Sequence, residues 1–149
     1  MILYLVDKNV LQEFHAKGNA NVLAWRATVR DDQLRISSII YLEMRRGWEA
    51  ERRKRLTAKQ NVTDIDKKIA DIKATRVAYK DREIGVDGEI WSELGALVGE
   101  KLKKLPDTTM AITARVHGLV VVTRNVKDFT GFGVDVLNPF NPNPVAIRL

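Results

Sequence analysis

Four carboxylates and one amide stand where apolar segments of this chain give way to polar ones. Asp7 ends the apolar run 2–6, Asp107 follows Leu105-Pro106, and Asn125 with Asp128 follow the β-branched run 119–123. Glu43 lies inside an otherwise apolar helical face: at about 100° per residue it falls between Ile39 and Ile40, with Gly47 beside it. Taken singly, each has a structural reading. Asp7 and Asp107 suit helix caps, Asn125 and Asp128 suit turns, and Glu43 suits an internal salt bridge. Taken together they suggest chemistry, because several carboxylates converging on one site repel one another unless a divalent cation neutralises them. Oxygen donors in a chain without cysteine favour Mg²⁺ or Mn²⁺. Such an ion activates water and offsets charge on a phosphodiester during in-line displacement, so the residues themselves point to a nuclease.

The elements that must position these groups follow from pattern. Residues 2–6 read as a buried strand ending at Asp7, and Asn9 with Gln12 three residues on reads as the capping signal of a short helix through Phe14. A second strand fits 34–37, followed by a helix from Ser38 into the charged run 49–55. Val62, Ile65, Ile69, Ile72 and Tyr79 recur at helical spacing, which makes 62–79 the second arm of an antiparallel helical hairpin. Residues 84–86 fit a strand, and Asp87 caps a helix carrying Ile90, Trp91, Leu94, Leu97 and Val98, with a basic end at 101–104. A helix over 108–117 is stopped by Gly118 and followed by a strand over 119–123. This alternation predicts a mostly parallel sheet, whose strand ends are where ligands gather. Trp25 and Trp91 read as core; Trp48 reads as core or as part of a groove.

With 149 residues, 45% of them hydrophobic and 30% charged, the chain has enough apolar surface for one core. The expected organisation is one domain over 1–138, with a tail over 139–149 packed on it that holds three of the four prolines. Residues 1–6 are too short for a membrane span, and the absence of cysteine excludes thiolate chemistry and suits a cytoplasmic setting. The net charge of +6 suits a polyanionic partner. The arginine-rich stretch from Arg45 to Arg55 reads equally as a solvated helix face or as an RNA-tracking surface. His117 precedes a helix-ending glycine, where a cation suits the dipole, so neither it nor His15 is a candidate general base.

Four segments carry a family resemblance. Residues 4–11, Tyr4-Leu5-Val6-Asp7-Lys8-Asn9-Val10-Leu11, resemble the opening strand and turn of PIN domains. Residues 36–47 resemble their second motif, 105–114 their third, and 116–129 the close of the VapC-type, FitB-like branch. The resemblance implies a three-layer α/β/α PIN-like fold with a protruding helical hairpin. It also implies Mg²⁺- or Mn²⁺-dependent endoribonuclease activity as the toxin of a toxin-antitoxin system, a homodimer, and inhibition by a cognate antitoxin. By position, it makes Asp7, Glu43 and Asp107 the acidic metal site, with Asp128 or Asn125 completing it. Lys8, Asn9, Arg45, Arg46 and Arg124 become candidates for RNA contact. Two positions depart from the family pattern: Asn125, where an aspartate is common, and Lys8, where a hydroxyl residue normally orients the first aspartate. Lys8 can weaken metal binding, point outward or contact phosphate. The rival reading is a non-catalytic PIN-like module that binds RNA or protein.

Overall fold

The computed structural model describes residues 1–97 and 104–149. Its elements run β1 (Tyr4–Val6), α1 (Lys8–Leu11), α2 (Ala20–Arg26), β2 (Leu34–Ser37), α3 (Ile40–Thr57), α4 (Thr63–Tyr79), β3 (Glu83–Ile84), α5 (Gly88–Gly95), α6 (Leu105–His117), β4 (Val120–Val122), β5 (Asp135–Leu137) and β6 (Ile147–Arg148). Among the described residues the strands order β3-β2-β1-β4-β5-β6, parallel except for β6, which runs antiparallel to β5.

The pleat divides the core into two layers. Leu5, Val121 and Val136 face Ile90, Leu94, Met110 and Ile112 of α5 and α6. Their neighbours Val6, Val122 and Leu137 face Val10, Val22 and Trp25 of α1 and α2. Helices thus cover both faces of the sheet, the expected three-layer α/β/α arrangement. Two of the threonines buried within α6 are satisfied by back-bonding: Thr109 donates to the Leu105 carbonyl and Thr113 to the Thr109 carbonyl, each at 2.7 Å. Gly118 closes α6 at φ 65°, a left-handed turn that glycine adopts without a Cβ clash.

Helices α3 and α4 pair as the expected hairpin, and Ile65 and Ile72 are the buried residues of α4. Lys59 takes a positive φ of 56° in the turn that joins them. No helix among the described residues is long and apolar enough to cross a membrane.

Several expectations need correction. The first strand begins at Tyr4 rather than Ile2, which is exposed. The helix after it is capped by Asp7, not Asn9, and ends at Leu11 rather than Phe14. The strand expected over 84–86 is Glu83–Ile84, shifted toward the β2 register it pairs with. The helix expected to open at Thr108 starts at Leu105, so Asp107 sits inside its first turn instead of capping it. Trp91 is 52% exposed, because α5 turns Ile90 and Leu94 inward and leaves Trp91 on its outer side. Val98 and Lys101 to Lys103 lie outside the described residues. Helix α2 and strands β5 and β6 were not foreseen.

Candidate active site

Asp7 is placed by sheet register. Val6 pairs with Val122 in the parallel β1–β4 ladder, so the next residues, Asp7 and Thr123, leave the same sheet edge side by side. Asp7 is buried and both oxygens of its carboxylate accept hydrogen bonds. Oδ1 accepts from the Lys8 N–H at 2.7 Å, and Oδ2 accepts from the Thr123 hydroxyl at 2.7 Å and the Asn9 amide at 2.9 Å. The orienting work that a hydroxyl at position 8 would do is thus done by Thr123 and Asn9. Burial still outweighs these donors and the charge of Lys8, and it raises the Asp7 carboxyl above its ordinary range.

Helix α3 follows β2, the neighbour of β1, and carries Glu43 in its first turn to the same edge. Glu43 is half-buried; burial and the Asp7 charge push its carboxyl up, opposed by Lys8 and Arg46. Helix α6 runs into β4, so its N-terminal turn brings Asp107 to that edge as well. A carboxylate in the first turn of a helix is normally favoured in its charged form. Asp107 goes the other way: burial, then the charges of Asp7, Glu43 and Asp128, push it up to about 6.

Asp128 enters from the 3₁₀ turn Val126–Phe129 beyond β4 and forms an ion pair with Lys104. Asn125 is exposed at the start of that turn; its backbone N–H donates to the Thr123 hydroxyl at 3.1 Å. Among the described residues its side-chain amide makes no hydrogen bond with the carboxylates.

Asp7, Glu43 and Asp128 therefore all act electrostatically on Asp107, while no three acidic or histidine side chains among the described residues converge to hold an ion as they stand. As they stand, Asp7 is engaged by its donors and Asp128 by Lys104. The set offers hard oxygen donors, repelling charges and a short supply of cations, the chemistry that suits a divalent ion.

The basic candidates divide. Lys8 borders the carboxylates, Arg46 acts electrostatically on Glu43, and Arg45 is exposed and paired with Glu49 at 2.8 Å. Arg124 is tied to the site through its backbone N–H, which donates to Asn9 Oδ1 at 3.1 Å, while its guanidinium lies 4.7 Å above the Phe140 ring. His15 and His117 are exposed. Thr123, which donates to Asp7, is the residue of the candidate site that sequence reasoning passed over. A hydroxyl closing a buried β-branched run next to the Asp7 strand was the available signal.

Comparison with known proteins follows the same outline. The chain is 30% identical over 142 residues to VapC ribonuclease Y4jK of Sinorhizobium fredii (strain NBRC 101917 / NGR234), a match spanning 94% of this chain and 99% of that protein. The structure is similar to that of FitAB bound to an IR36 DNA fragment, with a TM-score of 0.71 and 21% identity over 93% of this chain and 96% of that one; this is a likeness of fold. A toxin-antitoxin complex from Klebsiella pneumoniae is similar at a TM-score of 0.61 and 28% identity, over 91% of this chain and 97% of that one. No protein-family model matches the chain.

Proposed function

Because the chain belongs to the VapC ribonuclease family, we propose that it is a metal-dependent endoribonuclease and the toxin of a toxin-antitoxin pair. The observation that carries this reading is Asp107, pushed up to about 6 by burial and by three other carboxylates at one sheet edge. A fold gains nothing from such repulsion, whereas a site that must hold a cation requires it. Asp7, Glu43 and Asp107 would hold Mg²⁺ or Mn²⁺, with Asp128 joining them on release from the exposed Lys104 ammonium. The bound ion would supply an activated water and charge stabilisation at the phosphorus.

The chain's own residues do the rest. Thr123 and Asn9 fix the rotamer of Asp7, so one ligand is rigid before any ion arrives. Glu43 and Asp107, half-buried on two different helices, close on the site from opposite sides of β1. Asp128 or Asn125 would orient the attacking water. An antitoxin partner is supported by the similar toxin-antitoxin complex, and pairing with a second copy by Trp91, which α5 leaves half-exposed.

A non-catalytic RNA-binding module is the second reading, favoured by the lack of a ready-made ion cluster among the described residues. One experiment separates the two. Antitoxin-free protein is incubated with a panel of single-stranded RNAs in Mg²⁺, Mn²⁺ or EDTA. Cleavage in metal and none in EDTA is the expected result; RNA binding that ignores metal and never cleaves would establish the module instead.

A further inference from the structure

A groove of about 440 Å³ opens from the acidic edge between α1 and α3, lined by Lys8, Gln12, Glu43, Trp48 and Arg55 among others. Past Trp48 it continues along α4 as a hollow of about 220 Å³ that reaches Lys68. Three cations face this path, and they are not equivalent. Arg55 is bonded to Glu51 at 3.0 Å and to Asp64 at 2.8 Å. The Lys68 ammonium lies 5.0 Å over the Trp48 ring. Among the described residues the Lys8 ammonium has neither a hydrogen bond nor an ion pair; only its backbone N–H is engaged, on Asp7.

That isolation is informative because carboxylates are close at hand. Lys8 is near enough to favour the ionised forms of Asp7 and Glu43, yet it pairs with neither. A lysine serving as an internal counter-charge would close onto a carboxylate, as Lys104 does with Asp128. Lys8 instead stays half-buried at the junction of the acidic edge and the groove, its three ammonium donors unspent. An ammonium held this way is a compact point charge that suits phosphate oxygens.

We infer that Lys8 is a substrate-binding residue that takes a phosphate oxygen of single-stranded RNA where the groove meets the acidic edge. This inference rests on the ribonuclease reading above. It makes the departure at position 8 a gain of substrate contact.

The test compares wild type, Lys8→Gln and Lys8→Arg, with circular dichroism to check folding. KM and kcat for a single-stranded RNA are measured in saturating Mn²⁺ over a range of salt, and Mn²⁺ affinity is measured by calorimetry without RNA. Lys8→Gln is expected to raise KM about tenfold. It should also flatten the dependence of log(kcat/KM) on log salt by about 0.7, the loss of one phosphate contact on a single strand. Mn²⁺ should bind as tightly as before or more so, and Lys8→Arg should recover most of the KM. Unchanged KM and salt slope with tighter Mn²⁺ would overturn the inference and leave Lys8 a counter-charge only. If wild type does not cleave, the ribonuclease reading fails by itself. Lys8 is then judged by RNA affinity in EDTA, where equal binding by wild type and Lys8→Gln overturns the inference and weaker binding by Lys8→Gln supports it.

Discussion

Asp64 and Asp107 are both aspartates in the first turn of a helix, and their surroundings drive them in opposite directions. On the α3–α4 hairpin, the Arg55 guanidinium donates to Asp64 and holds its carboxyl below the ordinary range. The neighbouring charges are matched in the same way, Arg52 with Asp66 and Arg55 with Glu51. At the sheet edge, burial and three carboxylates push Asp107 up to about 6. Near the hairpin turn these carboxylates each face a guanidinium as they stand. The sheet edge is short of positive charge, and that imbalance, more than the number of acids, marks the region with work to do.

The comparison breaks most readily on activity. Asp107→Asn is expected to lower RNA cleavage on the order of a thousandfold, the scale of losing a central electrostatic group in a catalytic site. Its thermal midpoint should stay level or rise, because like-charge repulsion at the edge is relieved. Asp64→Asn should do the reverse, keeping cleavage while lowering the midpoint slightly. Cleavage assays and thermal melts on both variants decide it; full activity in Asp107→Asn would remove the sheet edge from the chemistry.

Within the edge the carboxylates are not alike, and Asp7→Asn sharpens the distinction. Both oxygens of Asp7 accept hydrogen bonds, from Lys8, Asn9 and Thr123, and the residue is 3% exposed. An asparagine keeps one acceptor oxygen and turns an NH₂ toward donors. A buried donor left unsatisfied costs about 1–3 kcal/mol, which in a domain of this size lowers the thermal midpoint by several degrees, at about 2–4 °C per kcal/mol. Asp7→Asn should therefore lose cleavage and, set against the relief of its buried charge, carry a stability cost that Asp107→Asn does not. Equal midpoints in the two variants would mean that Thr123 and Asn9 do not hold Asp7 as the hydrogen bonds indicate.

Much of this was legible before any coordinates. The parallel sheet, the helical hairpin and the Gly118 stop follow from periodicity and local backbone preference, which are properties of short segments. The meeting of Asp7, Glu43, Asp107 and Asp128 at one edge could be anticipated because each lies at or beside the end of an element. What stayed hidden depends on partners distant in sequence. Thr123 bonds Asp7 across 116 positions, a pairing set by the register of β1 on β4. Strand β6 exists only because residues 147–148 pair with β5, and its own residues are exposed, so no burial pattern announces it. Trp91 misled because a tryptophan between Ile90 and Leu94 satisfies a helical apolar count whether or not its own direction faces the core.

The finest contrast is in how stability responds to pH. A carboxyl raised in the folded state holds its proton more tightly there than in the unfolded chain, so stability falls as pH rises between the two values. For Asp107 that window runs from the ordinary aspartate value of about 4 to about 6. Below it the charge is absent and costs nothing; above it the full penalty is present. Asp64 has the opposite sign, since a lowered carboxyl adds stability above the ordinary value and loses it as pH falls through the folded one. Urea midpoints across this range should show Asp107→Asn gaining on wild type as pH rises, then holding a constant lead above about pH 6. Asp64→Asn should match wild type in acid and fall behind above about pH 4. Both differences are small because both groups touch solvent, and high salt should shrink the Asp64 difference more, since that aspartate is the more exposed of the two. Parallel curves for the two variants would mean that the edge and the hairpin share one electrostatic environment after all.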